Sequence, residues 1–174
     1  PKNRYELTRA MEWAVAYDGP IAIKYARGQA YYGLKDYNEP VEYGKSEILR
    51  EGSEIALVAV GNMVEETEKL YNRFLQEGRQ VTFVNARFIK PLDKEMIDHL
   101  AETHKLIVTI EEGILHGGYG ALVEEYLESK ASDVKVLPIA IEDTFVRHGS
   151  VEELRKMLKI DAESIYDQIQ DVME

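Results

Sequence analysis

The chain has no cysteine, so disulfides, thiolate nucleophiles and cysteine-held metals are excluded, and the composition is compatible with a reducing cytoplasm. It holds no apolar run approaching the roughly 20 residues that a membrane helix needs, and no visible signal peptide. An excess of cations is missing as well. Its 21 Lys and Arg stand against 32 Asp and Glu, a formal net charge of −11. A phosphate backbone is gripped by clustered Lys and Arg, so nucleic acid is excluded as the expected partner. What is present is a hydrophobic fraction of 45% over 174 residues, normal for a folded chain and enough for one good-sized domain, or one domain and a fragment of another.

The pattern of apolar residues is that of an α/β protein. The chain opens at Pro1 without a methionine and runs at once into a helical stretch, with Leu7, Ala10, Met11, Ala14 and Tyr17 recurring at spacings of three and four. That start suggests a piece of a longer chain, with a processed terminus as the competing reading. After the turn "DGP" at 18–20, residues 20–25 read as a short strand ending on Arg27 and Gly28. Residues 28–43, broken by Gly and Pro and rich in tyrosine, read as a linker. Strands are expected at 45–50 and 54–60, joined by the Glu-Gly-Ser turn at 51–53, and then at 80–86, 105–112 and 134–141. Helices are expected at 63–77, 93–103, 117–128 and 150–158, with a last one from Asp161. Asn62 with Glu65, Asp93, and Ser150 with Glu153 are the expected caps. Strands alternating with helices predict a mostly parallel sheet.

Several residues invite a chemical role. His99 and His104 are spaced by five, which fits no H-E-x-x-H site, and are expected at the surface. His116 and His148 each adjoin a glycine in loops that could reach a ligand at the carboxyl edge of the sheet. "EEGILHGGYG" at 111–120 ends a strand in Glu111 and Glu112 and opens a helix with glycines. It could bind an anion on free N–H groups, or Gly117, Gly118 and Gly120 could merely let the helix pack closely on the strand. There is no P-loop, no nucleophile elbow and no G-D-G diphosphate motif. Composition and spacing alone thus lead to an α/β domain without a self-contained active site.

Four stretches taken together resemble the 1-deoxy-D-xylulose-5-phosphate synthase family: "DGPIAIKYARG", "NARFIKPLD", "TIEEGILHGGYGALVEEYL" and "IEDTFVRHGSVEELRKMLKIDAESI". The last is the most specific, since other transketolase-like proteins share the glycine region but not that ending. Ala26 and Lys24 depart from the proline and arginine usual in the family, and "AIED" replaces "GIPD".

That resemblance implies a fold, a reaction and one site residue. Residues 1–43 would be the tail of a pyrimidine-binding domain plus a linker. Residues 44–174 would be a transketolase C-terminal domain, a mostly parallel five-stranded sheet with one antiparallel edge strand and helices on both faces. The antiparallel member is expected to be 45–50, in a hairpin with 54–60 across the three-residue turn. The family condenses pyruvate with glyceraldehyde 3-phosphate, with loss of carbon dioxide, as a cytoplasmic homodimer dependent on thiamine diphosphate and Mg²⁺. Its product serves isoprenoid, thiamine and pyridoxal synthesis. The cofactor and metal ligands lie outside this stretch, so this chain alone is expected to bind neither and to be inactive. Arg27 aligns with the arginine that receives the aldehyde's phosphate. Segment 1–43 is expected to be loosely held, or packed on a neighbouring copy, while 44–174 folds by itself. Two alternatives stay open: the same domain in a 2-oxoacid dehydrogenase E1 β-subunit or a transketolase, or a non-enzymatic α/β interaction module.

Overall fold

The computed structural model describes residues 1–173. Helix α1 (Arg4–Ala16) is followed by a long stretch without regular structure. Strand β1 (Glu47–Arg50), strand β2 (Glu54–Ala59), helix α2 (Met63–Gln76), strand β3 (Thr82–Asn85), helix α3 (Lys94–Thr103) and strand β4 (His104–Ile114) come next. Helix α4 (Tyr119–Ser129), strand β5 (Lys135–Ile141), helix α5 (Val151–Met157) and helix α6 (Ala162–Met173) complete the described chain.

The five strands form one sheet in the order β1-β3-β2-β4-β5, as expected mostly parallel with one antiparallel edge member. β2 lies at its centre, and its continuous apolar run follows from being covered on both faces. Ile55, Leu57 and Ala59 face α2 and α6, where Leu70, Phe74, Ile165 and Ile169 are buried with them. Ala56 and Val58 face α3 and α4, where Ile97, Leu100, Val123 and Leu127 are buried. The spacing of Met63, Val64, Thr67, Leu70, Tyr71 and Phe74 shows why α2 is a helix with one buried face.

Two expectations need correction. The edge strand β1 is antiparallel, but it pairs with β3 rather than with β2. The Glu-Gly-Ser turn is not a hairpin: it crosses the start of β3, which is inserted between the two strands it connects. Ser53 N donates to Gln80 O at 2.9 Å, and Gly52 N to Thr82 Oγ1 at 3.0 Å. Glycine is required there by close approach, since a Cβ would lie 2.5 Å from Gln80 O and 2.6 Å from Val81 O. Second, residues 20–25 form no strand. A strand needs a neighbour to pair its backbone, and the described residues supply none to this segment.

The caps divide similarly. Asp93 accepts from Met96 N at 3.3 Å, and Ser150 with Glu153 makes the full reciprocal box. Asn62 instead has helical backbone and caps nothing with its side chain, which is engaged elsewhere.

Candidate functional site at the carboxyl edge of the sheet

Open α/β sheets bind ligands beyond the carboxyl ends of their strands, where neighbouring strands send their connections in opposite directions. Here β2 leads toward β3 and β4 leads toward β5, so that crevice opens between β2 and β4. Side chains of the chain itself pair with one another there. Asn62, after β2, donates its amide to Glu112 on β4. Arg155 of α5 places Nε 3.3 Å from Glu112 Oε1 and Nη1 3.2 Å from Glu66 Oε1 on α2. Glu66 also receives Lys69 Nζ at 2.6 Å and Ala162 N at 3.3 Å. One guanidinium therefore ties α2, β4 and α5 together, and its fork reaches both carboxylates in a way a lysine could not.

The neighbouring carboxylate has a different task. Glu111 is buried and its Oε1 accepts from Gly120 N at 2.9 Å, so it satisfies the first turn of α4 with a negative charge. An incoming anion there would meet a carboxylate. Gly120 packs closely on the strands: a Cβ would come within 2.6 Å of Thr109 Oγ1 and 2.8 Å of Pro138 Cβ. Of the two readings of "EEGILHGGYG", the geometry supports close packing for Gly118 and Gly120, whereas Gly117 has open space around it and is needed for its φ of +82°.

A second network lies at the same edge, over β1 and β3, and sequence reading missed it. Lys2 Nζ is 2.5 Å from Glu47 Oε2 and 3.3 Å from Glu6 Oε1. Arg87 Nε is 2.9 Å from Glu6 Oε1, and Asn85 Nδ2 donates to Glu6 at 2.8 Å and Glu47 at 3.1 Å. Lys2 is 2% exposed, Glu6 3%, Glu47 6% and Asn85 0%. Burial pushes the Glu6 carboxyl up, but the Lys2 and Arg87 cations, with the Lys2 backbone N–H, hold the group below its ordinary range. Lys2, Asn3 and Glu6 are thus buried against this chain's own sheet, which anchors the start of the segment 1–43, while most of residues 8–43 are exposed or half-buried. The single signal in the sequence was Asn85 at the end of an otherwise apolar strand.

The remaining candidates are dispersed. Arg27 is exposed, directly before the tyrosine-rich stretch 28–43, in backbone without regular structure. Gly28 after it has φ +109°, which glycine adopts without strain. His116 and His148 are exposed in different loops, and His99 is exposed on α3. His104 is half-buried rather than at the surface: Nε2 is 2.7 Å from Thr82 Oγ1 and Nδ1 is 3.2 Å from Leu100 O. Burial lowers its pKa, more than the bond to Leu100 raises it. Among the described residues no group of three or more His, Cys, Asp or Glu could hold a metal ion, and no helix is long and apolar enough to cross a membrane.

Known proteins match this arrangement. The 1-deoxy-D-xylulose-5-phosphate synthase of Lachnoclostridium phytofermentans is 44% identical over 97% of this chain and 27% of its own length. That of Heliobacterium modesticaldum is 40% identical over 95% of this chain and 26% of its own length. The chain therefore spans about a quarter of the curated relatives it matches. A solved structure described as a split-gene transketolase, inactive β4 tetramer, superposes with TM-score 0.89 at 23% identity, over 98% of this chain and 55% of that one. The C-terminal domain of transketolase matches residues 44–165. With the sheet order, the two-faced core and these matches agreeing, the chain belongs to the transketolase C-terminal domain family.

Proposed function

We propose that this chain is the carboxyl-terminal part of a cytoplasmic 1-deoxy-D-xylulose-5-phosphate synthase. The observation that carries the reading is similarity to such synthases along nearly the whole chain, residues outside the C-terminal domain included. The full-length parent would join pyruvate to glyceraldehyde 3-phosphate, release carbon dioxide and form 1-deoxyxylulose 5-phosphate, as a homodimer. That product would feed isoprenoid, thiamine and pyridoxal synthesis. Thiamine diphosphate with Mg²⁺ would supply the carbanion chemistry from the rest of the parent.

The residues of this chain do not fit that cofactor. At its switch point Asn62, Glu112 and Arg155 pair with one another, and the start of α4 faces the Glu111 carboxylate. Alone, the chain would have no synthase activity. Its own contribution to the reaction would be Arg27. A phosphate dianion suits a planar, permanently charged, multi-donor partner, and an exposed guanidinium beside a glycine can be offered to a substrate bound elsewhere in the parent.

The test is an assay of the full-length parent. Product and carbon dioxide formed from pyruvate and glyceraldehyde 3-phosphate support the reading. Activity only with a ketose donor, or only with a lipoyl acceptor, would assign it to a transketolase or a 2-oxoacid dehydrogenase instead. Isothermal titration of this chain with thiamine diphosphate and Mg²⁺ should give no heat of binding, and micromolar binding would overturn the assignment of the cofactor to the rest of the parent.

A further inference from the structure

The buried ionic cluster over β1 and β3 has features that a simple stabilising contact does not need. Its two cations, Lys2 and Arg87, balance its two carboxylates, Glu6 and Glu47. Balance makes burial tolerable, yet such groups stabilise no better than apolar side chains of the same volume. The satisfaction is incomplete: Glu47 Oε1 and Arg87 Nη2 are buried without a hydrogen-bond partner, although Nη2 lies 3.2 Å from Glu47 Oε2. Arg87 also holds φ +55°, a left-handed conformation that a residue with a Cβ adopts only when its surroundings enforce it. What a charged cluster does supply is register. Sliding α1 by one turn would strand four buried charges, so one placement of the segment is far better than its neighbours.

The residues around the cluster also hold the chain on either side of the Arg27 segment. Next to Lys2 and Glu6, Asn3 Nδ2 donates to Gly33 O at 2.9 Å and Arg4 N to Tyr31 O at 3.1 Å. Arg87 Nη1 donates to Pro40 O at 3.0 Å. The first turn of α1 and residues 31–40 are therefore fastened at the same few side chains, while the far end of α1 is held by Trp13 and Tyr17 stacked with Tyr43, Trp13 and Tyr43 also meeting the edge of Phe88. Between them, residues 18–30 make no regular structure.

We propose that Lys2, Glu6, Glu47, Asn85 and Arg87 form a latch that seats segment 1–43 on the sheet in one register and thereby positions Arg27, and that the latch opens without the sheet unfolding. The Arg27 half of this statement rests on the function proposed above. Lys2 and Glu6 are the pieces to change, because their removal leaves the sheet's own Glu47, Asn85 and Arg87 in mutual contact.

Hydrogen exchange read by mass spectrometry on the whole chain, comparing the wild type with Lys2→Met and Glu6→Ala, tests the latch. Amides in 4–16 and 31–37 should exchange about 10- to 100-fold faster in both variants, with β2, β3 and β4 unchanged. Equal acceleration in those strands would make the cluster part of the global core, and no acceleration anywhere would make it irrelevant; either result overturns the latch. In the full-length parent, Glu6→Ala should raise KM for glyceraldehyde 3-phosphate about tenfold, with kcat and the KM for pyruvate nearly unchanged, and Glu6→Gln should recover part of the loss. Matched losses for both substrates would overturn the positioning role. A parent without synthase activity would overturn the functional reading and the Arg27 half with it, while the exchange result would still decide the latch.

Discussion

Replacing Arg155 by methionine is the sharpest probe of the pairing at the carboxyl edge. Methionine keeps most of the volume and the flexible stem, so the loss is that of the guanidinium rather than of packing. Arg155 sits between Glu66, whose side chain is 9% exposed, and Glu112, at 31%. Removing one partner of a fully buried pair destabilises by about 3–5 kcal/mol, because the other charge is left without compensation. Here Glu66 keeps Lys69 and the Ala162 amide, and Glu112 keeps Asn62 and some water. Those remaining contacts bring the expected loss down to about 2–3 kcal/mol. At about 2–4 °C per kcal/mol for a chain of this size, Tm should fall by about 4–12 °C. Urea unfolding of Arg155→Met, Glu66→Gln and the double variant should give a coupling of about 1–2 kcal/mol. A loss below about 0.5 kcal/mol with no coupling would refute the reasoning, since that is what a solvated surface pair gives.

The other predictions concern the turn and the histidine. Gly52→Ala should destabilise by more than about 3 kcal/mol, because the new methyl meets the backbone of Gln80 and Val81, which has no free space to retreat into; a near-neutral result in urea would mean that the turn does not cross β3. His104 is held neutral, with a pKa below the ordinary 6.5, so the unfolded chain takes up its proton first as pH falls. Its stabilising contribution is full above about pH 6.5 and declines as pH drops toward the lower folded value, so the urea midpoint should fall between pH 7.5 and 5.5 and do so less in His104→Gln. An identical pH slope in the two proteins would contradict this.

Most of the fold could be read from the residues because each element announces itself locally. The apolar run of β2, the 3.6-residue stripe of α2 and the Ser150–Glu153 box are properties of short windows. The pairing of β1 was misjudged because sequence proximity favours a hairpin, while the decision was made by β3, thirty residues on, and by a glycine narrow enough to pass over it. The strand expected at 20–25 has the right alternation, but alternation states only a capacity to pair and no partner is present among the described residues. Asn62 failed as a cap because its own backbone is helical, and its side chain turns instead to donate to Glu112, fifty residues away. The site was less legible for the same reason. Glu111 and Glu112 stood out in the sequence, yet nothing local tells that one caps α4 and the other meets Arg155. Lys2 and Glu6 look like an ordinary exposed pair at i, i+4 until the sheet beneath them is known.

On the proposed function, Arg27 receives the phosphate of the aldehyde while the cofactor is held elsewhere in the parent. The most direct measurement is kcat/KM of the full-length parent and of Arg27→Ala, each with glyceraldehyde 3-phosphate and with phosphate-free glyceraldehyde as acceptor. Losing a charge-assisted contact of about 2–3 kcal/mol should lower kcat/KM for the phosphorylated aldehyde by about 30- to 150-fold. Pyruvate binding should be nearly unchanged, and the phosphate-free aldehyde almost indifferent to the substitution. An equal loss with both aldehydes would contradict the account, because Arg27 would then be holding the protein together rather than the phosphate.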